Sequence, residues 1–377
     1  MSRHYLDHAS TSPPRPEAVA ALVGWLHDPA GDPGRIHAEG MRARVALEDA
    51  RAAVALLLGA RPREVVFTSG ATEAIATAVA GTAARGRRIV VPAIEHSAVR
   101  AAAGALADRH GHELVTVGVD RTGRVDADEL LAAVDDDTAL VNLQWGNHEV
   151  GTLQPVAEVA AACRERGVLL HVDAAQAAGR IPIAFDDLGV DLLSVSAHKL
   201  GGPAGTGALL VRRGLRIDPL LLGGDQERAR RAGMEDVPAA VAFGAACAAL
   251  AGGDRLAVEA ADARRRTDRL RTGLAALDGV ELHGHPDLRL PHLVCAGIDG
   301  IEPQAVLLGL DQAGVAAHSG SACATEGLED SPVLAAMGVD AHRSLRLSVG
   351  WSTTDADVDA VLAALPPILD HLRALAR

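Results

Sequence analysis

Apolar and polar positions change period along the chain. Short runs rich in Val, Ile and Leu recur through its first two-thirds as "EVVFTS", "RRIVVPA", "ELVTVGV", "ALVNLQW", "VLLHVDA", "DLLSVSA" and "GALLVRR". Between several of them lie stretches such as "QPVAEVAAACRERG", whose apolar residues fall at helical spacing. Strands buried on both faces read as near-continuous apolar runs. Their alternation with amphipathic helices predicts an α/β protein with a largely parallel sheet covered on both faces. From about Pro238 the texture changes. An arginine-rich helical stretch, "EAADARRRTDRLRTGLAAL", leads into "VELHGH" and "LPHLVCAGI". A helix ("PQAVLLGLDQAG"), "VAAHSGSAC", "SLRLSVG" and a closing helix from Asp355 follow. This second texture predicts a smaller α/β domain, with the arginine run as the solvated face of a helix. No internal repeat or low-complexity linker interrupts the pattern.

Composition narrows the picture. Hydrophobic residues make up 49% of the 377 positions and charged ones 23%, the balance of a soluble globular chain. With aromatics at 2%, the core must come from Ala, Val and Leu. A net charge of −13 argues against a nucleic-acid backbone as the main ligand. The longest uncharged run, Val237–Gly253, is short and rich in Ala and Gly, so it predicts a buried helix and no membrane span. The N-terminal "MSRHYLDHAS" lacks the apolar stretch of a signal peptide. Cys163, Cys247, Cys295 and Cys323 form no CxxC pair. That argues against a zinc knuckle or disulfide scaffold, and the expected compartment is the cytoplasm.

Candidate chemistry falls at strand ends, where open α/β sheets bind ligands. In "FTSGATEAIA" a strand gives way at Gly70 to a helix start, whose free N–H groups suit an anion; an ordinary N-cap explains the same residues. In "HVDAAQ", Asp173 ends a buried strand and needs a cation or donors, or is itself a cap or a structural ion pair. "GPAGTG" is no dinucleotide fingerprint, since it leads into a strand, and no Walker motif occurs. In "SVSAHKLGGPAGTG", Lys199 is the one lysine among 36 basic Lys and Arg residues. Only a primary amine condenses with a carbonyl to a Schiff base, so a drift toward arginine would spare it there alone. Chance survival is the alternative, since Tyr5 is likewise the single tyrosine. Cys163, Cys247 and Cys295 read as buried small hydrophobes. Cys323, flanked by Ser, Gly and Ala, reads as exposed and reactive if its pKa is lowered. An anion cradle, a buried acid and a Schiff-base lysine together point to pyridoxal 5'-phosphate (PLP).

The motifs "YLDHAST", "VFTSGATEA", "EHSAV", "NHEVG", "HVDAAQ", "SVSAHKLGGPAGTGAL", "GSAC" and "LRLSVG" stand in the order and spacing of the cysteine desulfurases. These belong to the class V aminotransferases of fold type I, which the chain resembles over essentially its whole length. The resemblance implies a large PLP-binding domain (14–245) with a mostly parallel sheet. A small α/β C-terminal domain (246–377, with 1–13) would carry the cysteine loop. It implies that Lys199 holds PLP as a Schiff base and shuttles protons, Asp173 pairs with the pyridine nitrogen and Gln176 bonds the ring hydroxyl. His96 would stack on the ring as an acid–base group, and Ala71, Thr72, Ser196 and His198 would hold the phosphate. Arg346 would clamp the substrate carboxylate. Cys323 would take sulfur from L-cysteine, releasing alanine and passing a persulfide to a sulfur-acceptor protein. No metal, nucleic acid or membrane is expected, and a homodimer is.

Three positions depart from the family pattern. His148 stands where an asparagine usually contacts the cofactor, and its charge would follow pH. Met234 occupies the place of a threonine that commonly reaches the partner's phosphate, and Trp351 replaces an arginine found in some members. The sequence stops at Arg377, short of the C-terminal extension that docks a scaffold in some housekeeping desulfurases, which weakens iron–sulfur assembly as the specific destination; an iron–sulfur scaffold, a tRNA-thiolation protein and a sulfur carrier all stay open as acceptors. A C–S or selenocysteine lyase, or an aminotransferase of the same fold, is the nearest alternative, and Cys323 argues for the desulfurase. A non-catalytic binding subunit is the more distant one, and the retention of Lys199, Asp173, Gln176 and Cys323 argues against it.

Overall fold

The computed structural model describes residues 3–27, 31–320 and 330–375. Its strands are β1 (His4–Tyr5), β2 (Val65–Thr68), β3 (Arg88–Pro92), β4 (Glu113–Val117), β5 (Thr138–Gln144) and β6 (Leu170–Asp173). They continue as β7 (Leu192–Ser196), β8 (Gly207–Val211), β9 (Val280–His283), β10 (Leu293–Ile298), β11 (Val315–Ala316) and β12 (Ser344–Ser348). The seven apolar runs of the first two-thirds form one seven-stranded sheet in the order β2-β8-β7-β6-β5-β3-β4. Strands β2, β5, β6, β7 and β8 are buried throughout, so their unbroken apolar texture reflects helices on both faces.

One strand departs from the parallel scheme. β8 runs antiparallel to both of its neighbours, β2 and β7. Only residues 197–206 separate β7 from β8, and a parallel return needs a crossover of a dozen or more residues. The remaining strands therefore share one direction, and the carboxyl ends of β2, β3, β5, β6 and β7 meet at one edge.

The C-terminal part adds a three-stranded antiparallel sheet, β12-β10-β9, and β1 pairs with β11 in parallel. Leu6 packs in one apolar cluster with Leu270, Val294, Leu347 and Leu365, so the first residues of the chain are built into the C-terminal core. The arginine run lies on helix Arg255–Ala275, where Arg265 and Arg266 pair with Asp355, and Arg269 with Asp359. The uncharged run forms the buried helix Val237–Ala251. Among the described residues no single helix is long and apolar enough to cross a membrane.

Small side chains let backbones approach closely. A Cβ on Gly244 would stand 2.6 Å from Ala50 Cα, so helices Val237–Ala251 and Ala38–Leu58 touch at a point only glycine allows. Glu227, Arg228 and Ala229 have φ of 49°, 60° and 60°, a left-handed turn that costs about 1–2 kcal/mol per residue. A buried fork holds it: Arg51 Nη1 and Nη2 donate to the Glu227 carboxylate at 2.6 and 2.7 Å. Phe67 N donates to the same carboxylate at 2.9 Å. Removing one partner of a buried pair leaves the other charge uncompensated. Arg51→Met is therefore expected to lower stability by about 3–5 kcal/mol in urea unfolding, and Arg51→Met/Glu227→Met by less than the single change.

Candidate active site

The edge where five strand ends meet encloses a cavity of about 460 Å³. At the end of β2, Gly70 adopts φ 150°, and among the described residues no side chain caps the helix Ala71–Thr82 that it opens. A helix start without a side-chain cap suits an anion. A Cβ on Gly207 would lie 2.5 Å from Val195 O and 2.8 Å from Gly70 Cα, so β8 presses directly against this turn. Glu73, the acid of the first turn, is engaged by Ser69 N at 2.8 Å and Arg231 Nε at 2.9 Å and does not line the cavity. Ala71, Thr72, Ser196 and His198 do line it. His198 lies 3.1 Å from Thr11 Oγ1; burial, then the Lys199 charge, pushes its pKa down to about 4.

His96 follows β3 and caps the helix Ser97–His110: its Nδ1 accepts the N–H of Ala98 at 3.1 Å. Burial, followed by His148, Lys199 and Arg100, pushes its pKa down to about 3, so the ring is neutral with its proton on Nε2. His148 follows β5 and packs edge-to-face on His96 with ring centroids 5.0 Å apart. Gln144 Nε2 lies 3.4 Å from His148 Nδ1, and Glu149 Oε1 lies 3.5 Å from His148 Nε2. The imidazole that replaces the family's asparagine therefore faces the cavity beside His96.

Asp173 ends β6 and accepts the Ala175 N–H at 2.9 Å. Burial raises its pKa, against the pull of that hydrogen bond and of Lys199 and His148. A cationic ring nitrogen would hold it ionised. Gln176 donates from Nε2 to Ala9 O at 2.8 Å, and Lys199 Nζ donates to the same oxygen at 3.0 Å. The Lys199 amine is pushed down to about 8 by burial first, then by Arg346 and Arg180, while Asp173 and Asp7 oppose the shift. Arg346 on β12 is 4% exposed and crosses from the C-terminal sheet. Its Nη1 donates to His148 O at 2.8 Å and its Nη2 to Asp7 Oδ1 at 3.0 Å and Ser10 Oγ at 2.7 Å. Its Nε is buried without a partner among the described residues.

Ten of the eleven candidate residues thus line one cavity: Ala71, Thr72, His96, His148, Asp173, Gln176, Ser196, His198, Lys199 and Arg346. The eleventh, Cys323, lies outside the described residues. Cys163, Cys247 and Cys295 are buried, and burial pushes the Cys163 thiol up to about 11 and that of Cys295 to about 12. Met234 is 62% exposed and does not line the cavity. Trp351 does not line it either, donating from Nε1 to Pro13 O at 2.9 Å.

Sequence reasoning missed several members. Asp7, Ala9 and Ser10 stand in the motif "YLDHAST", but they act through contacts with residues more than 160 positions away, so the motif marked the segment without giving these residues a role. Glu95 accepts the Gln144 N–H at 2.6 Å, and burial, then Asp173, pushes its carboxyl up to about 8, so it is protonated at neutral pH. Its position directly before His96 was the available sign. His292, described below, carried none.

Comparison with known proteins agrees with this geometry. The Aminotransferase class-V family matches residues 4–361. Cysteine desulfurase 2 of Trichormus variabilis is 40% identical over 386 aligned positions, covering 100% of this chain and 95% of its own. Among solved structures, a NifS-like protein superposes with a TM-score of 0.91 at 33% identity, covering 98% of this chain and 100% of its own. SspA in complex with cysteine superposes at 0.82 and 27% identity, over 93% of this chain and 100% of its own. The chain belongs to the class V aminotransferase family, among its cysteine desulfurases.

An amine with a pKa near 8 sheds its proton more than two pH units below an ordinary lysine. Capture of a small aldehyde on the Lys199 peptide, trapped with borohydride in cofactor-free protein, is expected to rise about tenfold from pH 7 to 9 and then level off. A rate still climbing through pH 10 would mean that the amine is not depressed.

Proposed function

We propose that this protein is a PLP-dependent cysteine desulfurase that converts L-cysteine to L-alanine and keeps the sulfur as a persulfide on Cys323. The observation that carries the reading is the company of Lys199. The chain's one lysine shares a cavity with a buried acid, an uncapped helix start and a guanidinium whose Nε lacks a partner among the described residues. These residues fit the cofactor. The N–H groups of Ala71 and Thr72, with Ser196 and His198, suit its phosphate, Asp173 its ring nitrogen, Gln176 its ring oxygen and Lys199 its aldehyde. When bound, PLP supplies an electron sink that stabilises negative charge at the substrate α-carbon.

The chain's own residues do the rest. Neutral His96 presents Nε2–H to the cavity, and the depressed Lys199 amine moves protons near neutral pH. Arg346 meets the substrate carboxylate, its remaining donor groups held in place by Asp7, Ser10 and His148 O. In the net reaction the C–S bond of cysteine breaks and an S–S bond forms on Cys323. The thiol protons pass to the product carbon and the terminal sulfur, so no external redox partner is consumed. A sulfur-acceptor protein then relieves Cys323 of the outer sulfur, and we place this exchange in the cytoplasm. A homodimer is proposed too: Leu222, 83% exposed, and Met234 belong to segments joined by Ala232 N–H to Leu221 O at 3.2 Å, leaving apolar surface for a second copy.

Wild-type protein incubated with PLP is expected to show a visible band at roughly 400–430 nm that Lys199→Ala abolishes. With L-cysteine and a thiol reductant, Cys323→Ser is expected to keep the band while alanine formation falls about 100-fold or more. Full sulfur transfer by Cys323→Ser would overturn the persulfide route. Arg346→Ala is expected to raise KM for cysteine about 10- to 100-fold, read from initial rates of alanine release.

A further inference from the structure

Gln176 faces a choice that the large sheet does not settle. Its amide can turn either the oxygen or the nitrogen toward the cavity, and only an N–H can donate to a ring oxygen there. The residue opposite is His292, fully buried directly before β10 of the C-terminal sheet, whereas Gln176 stands in the turn that follows β6. His292 Nε2 lies 3.1 Å from Gln176 Oε1. Gln176 Nε2 donates to Ala9 O at 2.8 Å, so Oε1 is the acceptor side and His292 Nε2 must carry the proton. The other imidazole nitrogen, Nδ1, is buried without a partner among the described residues. An apolar side chain would avoid that penalty, so the imidazole answers a need at Nε2. Burial, reinforced by Arg180, His8, Lys199 and Arg346, holds His292 neutral and leaves one N–H to donate.

We propose that His292 is a positioning residue for Gln176: its Nε2–H fixes the amide so that the second Nε2 proton points at the ring oxygen of PLP. The C-terminal sheet thus reaches into the cofactor site at two points on one strand pair. Val349 N donates to His292 O at 2.8 Å, directly after the strand that carries Arg346, and Leu293 pairs with Ser348. The proposal rests on the PLP reading above. A donor at the ring oxygen draws charge from the proton on the Lys199 nitrogen, and without it that proton is harder to remove.

The test titrates the visible band of PLP-loaded protein against pH and measures PLP affinity by equilibrium dialysis, with thermal unfolding of the cofactor-free protein as control. In His292→Phe the titration midpoint is expected to rise by about one pH unit and the PLP dissociation constant about five- to tenfold. His292→Gln, which restores an N–H, is expected to return most of both. Adding His292→Phe to Gln176→Met is expected to change neither beyond Gln176→Met alone. His292→Leu carries the same expectation where the phenylalanine variant does not fold. Unchanged midpoint and affinity in a folded, donor-free variant, or full additivity with Gln176→Met, would overturn the proposal even if unfolding temperature dropped. Wild-type protein that takes up no PLP overturns the functional reading and this one with it. Normal loading of the wild type beside an indifferent donor-free variant overturns this one alone.

Discussion

Lys199 Nζ and Gln176 Nε2 converge on a single carbonyl oxygen, that of Ala9, at 3.0 and 2.8 Å. Ala9 is fully buried, and its own N–H donates to Ser348 Oγ at 2.8 Å. One residue of the N-terminal segment therefore ties the segments that follow β6 and β7 to the C-terminal sheet. The residues just before it extend the tie, since Asp7 pairs with Arg346 and Leu6 packs in the C-terminal core. Without that segment the lysine and the arginine would belong to separate layers. With it, the groups expected to hold the two ends of a bound amino acid share one rigid frame.

Burial is the second organising term. It is the largest influence on Lys199, Asp173, His96 and His198, and in each it disfavours the charged form. Glu95 joins them as a neutral carboxyl behind the cavity. A chain of net charge −13 thus surrounds its site with imidazoles that stay neutral at pH 7, beside an amine and a carboxyl that both titrate near 8. Arg346 brings a guanidinium to the same cavity. Arginine keeps its charge under burial, as a clamp for a carboxylate requires.

The seven strands were legible because parallel strands buried on both faces must be written as apolar runs. Lys199 was legible because its residue type is irreplaceable and its composition contrast extreme. The antiparallel course of β8 was implicit in the short spacing between "DLLSVSA" and "GALLVRR", a matter of counting residues. The left-handed turn at Glu227 was not legible, since Glu and Arg carry no preference for positive φ and only the distant Arg51 explains it. Ala9 escaped for a related reason: it acts through its backbone, and its side chain says nothing. His292 sits in an apolar stretch that reads as ordinary strand, and its meaning lies in Gln176, 116 positions earlier.

The scarcity of amines reaches beyond the site. Ion pairs on helix Arg255–Ala275 are made by guanidinium groups, and none of the chain's surface cations is a lysine. Reducing sugars, cyanate and reactive acyl groups, which age proteins by attacking exposed amines, find here the α-amino group and Lys199. The depressed pKa makes that buried amine the more nucleophilic of lysines wherever a small electrophile can enter. A cofactor bound to it would act as a protecting group. Amine-directed wear on the side chains of this protein is thus confined to one position, and the proposed cofactor would shield it.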